Sequence, residues 1–249
     1  MKAAIVYDRT SSFLWQHFLL IISMFVMTLG VALCVRSGIG SSVISAIPYV
    51  FALAGDSGKA PALTIGAYTY IMNFVLVLSQ ILILRRQFQA VQLFQLVIGF
   101  FFGFLLDVNM VLTSFVQVTS FISQFALQLL GCLVLAVGIS LEIRCGSVTM
   151  PGEGITVAVS RATGMAFARA KIIVDTLLVV SAVVTGYIFF GNWLWNVVGI
   201  GTLMAMVLVG WSIKIIDPYM GWSTRLLHCR PGYQRHIYGL ARFIYRRFN

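Results

Sequence analysis

Six apolar segments, each long enough to cross a bilayer, dominate this sequence and limit what the chain can fold into. They occupy residues 13–35, 63–84, 90–112, 118–143, 168–190 and 194–216. A helix needs about 20 apolar residues to cross a bilayer core of about 30 Å. Hydrophobic residues make up 60% of the chain and charged residues only 10%, which is too little charge to cover a soluble domain of this size. The sequence therefore predicts an all-α polytopic membrane protein, and it excludes a soluble enzyme, a secreted disulfide scaffold and a compact DNA-binding domain.

Two further apolar stretches, at residues 42–54 and 154–162, are too short to span the membrane comfortably. They follow the first and the fourth long segment, and each comes after or within a glycine-rich break, one at Gly38 and Gly40 and the other at Gly152 and Gly154. Non-helical backbone is tolerated at membrane depth only where it is buried in protein or lines a water-filled cavity. We therefore expect two short re-entrant or half helices, with residues 36–53 and 144–162 as the most informative parts of the chain.

A sparse internal repeat, G-x-x-L-x-x-R-x-G, closes the first and the fourth span. Its four fixed positions match at one offset of 108 residues. The pattern aligns Gly30, Leu33, Arg36 and Gly38 with Gly138, Leu141, Arg144 and Gly146. A weaker match places Asn73 on Asp175 in the following helix.

The repeat predicts a duplicated membrane domain. The first repeat, with spans 1–3, covers residues 1–114, and the second, with spans 4–6, covers residues 115–218. Because three spans is an odd number, the two repeats must run in opposite directions through the membrane. Inverted repeats with interrupted helices are the architecture of many secondary transporters, which bind substrate near the midplane.

The distribution of Lys and Arg predicts the orientation. With six spans and a cytoplasmic N-terminus, all of the 17 Lys and Arg residues except Arg36 and Lys59 lie inside. If both short stretches crossed, Arg85, Arg86 and Arg144 would move outside. The positive-inside rule therefore favours six spans with both termini in the cytoplasm.

Residues 219–249 form a basic tail with six arginines. Between residues 235 and 248, apolar side chains recur at helical spacing opposite some of these arginines, which predicts an amphipathic helix on the anionic cytoplasmic leaflet. A solvated tail that only sets the topology is the alternative. The expected partners are thus the lipid bilayer and its anionic lipids, and nucleic acid is not expected.

Few ionisable side chains lie in the predicted spans, and such groups are functional candidates because they are costly there. Asp175 either pairs with Lys171 one turn earlier or serves as a substrate or proton site, and Asn73 lies at the matching depth in the first repeat. Arg36 and Arg144 either cap the helices that they end or anchor an anion.

Glu153 lies inside Pro151-Gly-Glu-Gly154, which we expect to be non-helical. It either caps the short helix that follows or faces a cavity. The predicted substrate site comprises six residues from the two breaks and the spans after them: Arg36, Gly38, Asn73, Arg144, Glu153 and Asp175.

Motifs for catalysis and metal binding are missing from the sequence. The three histidines lie near the chain ends, and there is no HExxH, Walker A or G-x-S-x-G pattern. We therefore expect no enzyme activity, no cofactor and no metal.

Three short motifs carry a resemblance to a known family: V-R-S-G-I-G at residues 35–40, M-P-G-E-G at residues 150–154 and G-x-G-T at residues 199–202. They resemble the YczE/YyaS/YitT group of bacterial integral membrane proteins over residues 20–215. The resemblance implies a multi-pass protein of the bacterial cell (inner) membrane, with transport or export as the suspected role.

Taken with the inverted repeat, these features predict a secondary transporter or permease for a small polar or anionic molecule. Its substrate site is expected near the midplane, at the two glycine-rich breaks. The alternative is a non-transporting accessory protein that supports a biosynthetic or envelope pathway, which would have a dry, fully packed interior. A homodimer is left open as a further partner.

Overall fold

The computed structural model describes residues 2–88, 90–145, 150–220 and 222, and these residues form eight α-helices and no β-strand. Most of the predicted tail, from residue 223 onward, lies outside the described residues, as does Gly146 of the repeat pattern. The helices are α1 (Lys2–Ser37), α2 (Val43–Asp56), α3 (Ile65–Leu84), α4 (Phe94–Leu112), α5 (Phe121–Cys145), α6 (Pro151–Thr163), α7 (Phe167–Phe190) and α8 (Ile200–Ile216).

Five of these helices are long and apolar enough to cross a membrane, namely α1 from Leu14 onward, α3, α4, α5 and α7. This confirms the prediction of an all-helical polytopic membrane protein. The sixth predicted span, residues 194–216, is wrong in its first six residues. Helix α8 begins only at Ile200 and has 17 residues, so it is about 26 Å long.

Helix α8 starts late because the backbone before it is bonded to the first break, which in the structure comprises residues 38–42. The Ser41 amide donates to the carbonyl of Val197 at 2.8 Å, and the Gly201 amide donates to the carbonyl of Ile39 at 2.9 Å. The Ser41 hydroxyl donates to the same Val197 carbonyl at 3.0 Å. This pairing replaces the helical hydrogen bonds that the apolar composition of residues 194–199 predicts.

The two short stretches are helices of 14 and 13 residues, as predicted, but α6 begins earlier than expected. The Pro-Gly-Glu-Gly segment is its first turn rather than a non-helical break. Proline has the φ angle of a helix and lacks only an amide that the first turn leaves unbonded, so Pro151 is a favourable first residue.

The N-terminal ends of α2 and α6 meet inside the protein. A methyl group on Gly152 would collide with the side chain of Ile44. Ile155, in the first turn and a half of α6, packs in one apolar cluster with Ile44 and Ile47. The two short helices therefore begin close to each other, at Ile44 and Gly152.

Helices α1 and α5 cross at the centre of the bundle with their backbones in close approach. A methyl group on Gly30 would lie 2.5 Å from the backbone nitrogen of Leu135, and one on Gly138 would lie 2.6 Å from that of Met27. Residue numbers rise along α1 as they fall along α5, so the two helices are antiparallel. The repeat offset of 108 places Met27 on Leu135 and Gly30 on Gly138, so the two contacts are equivalent in the two repeats.

The packing of the remaining helices also matches between the two predicted repeats, with one exception. Helix α4 packs on α1 as α8 packs on α5, and α6 packs on α3 as α2 packs on α7. The exception in the described residues is the pair of α3 and α4, which pack extensively on each other, whereas the equivalent helices α7 and α8 share few contacts.

Candidate functional site

The first break depends on two glycines with left-handed backbone. Gly38 has φ of 73° and Gly40 has φ of 137°, and residues with a Cβ adopt such conformations only at a cost. A methyl group on Gly40 would also lie 2.6 Å from the backbone nitrogen of Thr202. The glycines predicted to form this break are thus required there by conformation and, at Gly40, by close contact.

A buried amide joins the last residue of α1, directly before the first break, to α8. The Ser37 hydroxyl donates to Oε1 of Gln128 at 2.8 Å, and Nε2 of Gln128 donates to the carbonyl of Gly201 at 2.8 Å. The hydroxyls of Ser42 and Ser45 bond to each other at 2.7 Å. The polar side chains at the start of α2 are therefore neutral and hydrogen-bonded.

Arg36 caps a helix, but it caps α4 rather than the helix that it ends. Its Nη2 donates to the carbonyl of Met110 at 2.7 Å, two residues before the end of α4. A cation there stabilises carbonyls that the helix leaves unbonded. This contact differs from the two roles predicted for Arg36, which were to cap α1 and to anchor an anion, and it draws the guanidinium toward the end of α4.

The start of α6 is surrounded by amides on one side. Gln80 of α3 and Gln95 of α4 are almost fully buried. Nε2 of Gln80 donates to Oε1 of Gln95 at 2.9 Å and to the carbonyl of Pro151 at 3.3 Å. A methyl group on Gly154 would lie within 2.8 Å of both amide groups, so this glycine is needed for close approach.

Two glutamates, Glu142 and Glu153, also lie close to the start of α6. Glu142 of α5 is 5% exposed, and its Oε1 accepts a hydrogen bond from the Met150 amide at 3.0 Å. Glu153 lies in the first turn of α6, within electrostatic range of Glu142. Its Oε2 is buried without a hydrogen-bond partner among the described residues. The Met150 amide before α6 is thus bound by Glu142 and not by Glu153, for which a capping role was one of the two predicted alternatives.

The predicted ion pair on α7 is present. Nζ of Lys171 lies 3.0 Å from Oδ1 of Asp175, and the two side chains are 37% and 14% exposed. Lys171 also lies within electrostatic range of Glu153 on α6. We call Glu142, Glu153, Lys171 and Asp175 the acidic cluster.

Asn73 is fully buried between α3 and α4. A methyl group on Gly99 of α4 would lie 3.1 Å from its Nδ2, yet neither amide atom of Asn73 has a hydrogen-bond partner among the described residues. Gln80 lies two turns further along α3 on the same face, about 10 Å away. Asn73 and Gln80 thus form a buried polar stripe on α3 that leads to the start of α6.

The structure brings together only part of the predicted site. Glu153 and Asp175 belong to one cluster through Lys171, and Asn73 lies on the adjoining stripe of α3. Arg36 and Gly38 lie at the first break instead. Arg144 lies in the last turn of α5, where it is half-buried and has an interaction partner.

Sequence reasoning missed three buried amides on long helices, two at the start of α6 and one beside the first break: Gln80, Gln95 and Gln128. The signal was present in the sequence, because an uncharged amide inside an apolar span also needs a hydrogen-bond partner. Asn73 was the one uncharged amide among the predicted site residues, and it was included because it matches Asp175 in the repeat.

Replacing Asp175 by asparagine is expected to lower the stability of the purified protein by about 1 kcal/mol, because it leaves Lys171 with one fewer counter-charge. The double variant Asp175→Asn with Lys171→Gln is expected to be closer to the parent protein than the single variant. Thermal unfolding followed by tryptophan fluorescence measures both. Equal losses in the single and the double variant would mean that the pair contributes nothing.

These features define an all-helical polytopic membrane protein in which two short helices begin in the interior, one beside neutral amides and hydroxyls and the other beside an acidic cluster. The chain belongs to the family described as a family of unknown function (DUF6198), whose model matches residues 14–218.

The chain is also similar to a protein of Bacillus subtilis (strain 168) described as uncharacterized protein YyaS. The two are 23% identical over 198 residues, which cover 79% of this chain and 90% of the relative. This confirms the predicted resemblance to YyaS-like proteins. No solved structure matches the chain.

Proposed function

We propose that this protein is a secondary transporter or permease for a small polar molecule, embedded in the bacterial cell membrane with both termini in the cytoplasm. The observation that carries the proposal is the meeting of α2 and α6 at Ile44 and Gly152. Many secondary transporters bind substrate where half helices begin near the midplane, because the first-turn amides of such helices are free to bind it. Catalysis is not part of the proposal.

The crossing of α1 and α5 supports an inverted repeat within this proposal. The repeat offset maps the contact of Gly30 with Leu135 onto the contact of Gly138 with Met27, and the helices that make these contacts are antiparallel. Two structural repeats of opposite orientation would have this relation. Such repeats allow one half to move against the other around a fixed site, which is the basis of alternating access.

The charges favour a polar substrate over the anion that the sequence left open. Arg36, one of the two candidate anion anchors, is bonded to the α4 carbonyl of Met110. The ionisable groups around the start of α6 are mostly carboxylates, which would repel an anion. Contact of the basic tail with anionic lipids and assembly into a homodimer stay predictions.

Cysteine accessibility tests the proposal. The four native cysteines are replaced by alanine, and single cysteines are introduced at Ser45 of α2, at Thr156 of α6 and, as a control, at Ala136 of α5. All three positions are at most 1% exposed. A small methanethiosulfonate that does not cross membranes is applied to inside-out and right-side-out vesicles.

In a transporter, the cycle opens the starts of the short helices to water, so the reagent is expected to label Ser45→Cys and Thr156→Cys while Ala136→Cys stays unlabelled. Labelling of none of the three from either side would contradict transport. That result would favour the non-transporting accessory protein with a dry interior.

A further inference from the structure

The start of α6 has buried hydrogen-bond acceptors without donors. Oε1 of Gln80 and Oε2 of Glu153 are both buried and have no hydrogen-bond partner among the described residues. Gln80 is fully buried, and its Oε1 points at the first turn of α6, since a methyl group on Gly154 would lie 2.8 Å from it. Leaving such an acceptor unsatisfied is unfavourable, so the place calls for a hydrogen-bond donor that the described residues do not supply.

The charge at this place calls for a cationic donor. Glu142, Glu153 and Asp175 supply three carboxylates, and Lys171 supplies one ammonium group, which is 3.0 Å from Asp175. The partial positive charge of the α6 N-terminus is already opposed by Glu142, which binds the Met150 amide.

A metal ion does not fit this place. Within the described part of the chain, no three His, Cys, Asp or Glu side chains are close enough together to hold one. The free acceptors come from one amide and one carboxylate on two helices, which suits N–H donors directed to separate oxygens.

The first break differs from the start of α6 in just these respects. The hydroxyls of Ser37, Ser41, Ser42 and Ser45 all have hydrogen-bond partners, and Gln128 bonds at both ends of its amide. The charge preference is therefore confined to the start of α6.

We infer that the start of α6 binds a small organic ammonium ion, a protonated amine with at least two N–H donors, which reach Oε1 of Gln80 and the carboxylate of Glu153. The inference rests on the proposed function, for which it names the substrate class.

Binding of two small cations of equal charge tests the inference. Purified protein in detergent is titrated with ethylammonium chloride and, separately, with tetramethylammonium chloride at equal ionic strength, and binding is followed by thermal unfolding and by calorimetry. Ethylammonium has three N–H donors and tetramethylammonium has none. Ethylammonium is expected to raise the melting temperature in a saturable manner, and tetramethylammonium is not.

Variants locate the site. Glu153→Gln removes the charge and Gln80→Leu removes the amide acceptor, and each is expected to weaken ethylammonium binding about tenfold or more. The control is Asp107→Asn. Asp107 caps α3 from α4 by accepting from the Gly66 amide at 2.8 Å, so its change alters a half-buried carboxylate elsewhere and leaves the affinity unchanged.

Three results would overturn the inference. No binding of ethylammonium would mean that water satisfies the acceptors, equal effects of the two cations would mean charge screening alone, and full affinity in a folded Gln80→Leu or Glu153→Gln protein would place the site elsewhere. Ethylammonium binding with the predicted variant effects, but without labelling at Ser45→Cys and Thr156→Cys, would support the binding site and contradict transport.

Discussion

Alanine at Gly30 or at Gly138 is expected to lower the melting temperature of the purified protein steeply or to prevent its accumulation in a folded form. The added methyl group would meet backbone nitrogen at 2.5 Å or 2.6 Å, and backbone cannot rotate aside as a long side chain can. Overpacking of a well-packed interior usually costs about 1–3 kcal/mol and occasionally more. Close backbone contact through small residues is also what holds helices together in lipid, so we expect the upper end of this range.

Gly210→Ala is the matched control for this crossing. Gly210 also lies within a helix, α8, but a methyl group there has no atom within 4 Å. Alanine favours helix over glycine by about 1 kcal/mol, so the melting temperature is expected to stay equal or rise. Size-exclusion chromatography with fluorescence detection, combined with thermal unfolding, measures all three variants. A loss at Gly210 as large as that at Gly30 and Gly138 would contradict the close crossing.

Gly40→Ala is expected to be the most damaging substitution in the first break, with a loss of more than about 2 kcal/mol. A φ of 137° is unfavourable for any residue with a Cβ, and the methyl group would lie 2.6 Å from the Thr202 nitrogen. The break would have to separate from the start of α8 and from the segment before it, where Ser41 bonds to Val197.

Gly58→Ala separates the two causes of this loss. Gly58 also has a positive φ, 72°, but a methyl group there would have no atom within 4 Å, so only the conformational cost of about 1–2 kcal/mol applies. Thermal unfolding of the two variants is compared under one set of conditions. Equal losses would show that the contact between the first break and α8 contributes nothing.

The helices could be predicted from sequence wherever apolar composition alone decides. The ends of α3 and α7 fall within two residues of the predicted segments, because a bilayer selects one continuous apolar stretch per span. The start of α8 could not be predicted this way. Residues 194–199 are apolar enough for a helix, and they are not helical because Val197 bonds to Ser41, a residue far away in the chain.

The candidate site shows the same division between local and distant contacts. The pair of Lys171 with Asp175 follows from their spacing of four residues, and it was predicted. The bond between Gln80 and Gln95 joins two helices, and no local pattern shows that they meet. The prediction that residues 151–154 are non-helical was wrong. It relied on the two glycines in this segment, although proline at the first position is a signal for a helix start.

The central position of α1 has a consequence for how the protein is made. Its main packing partner α5 leaves the ribosome 108 residues later, which at about 5–20 residues per second takes about 5–20 s. During that interval α1 has to stay in the bilayer with lipid on the faces that α5 later covers. Of the five long spans α1 becomes the most enclosed, yet it also has the highest mean hydropathy. We attribute this to the insertion step rather than to the finished bundle, because a helix that waits in lipid for its partner must be stable there alone.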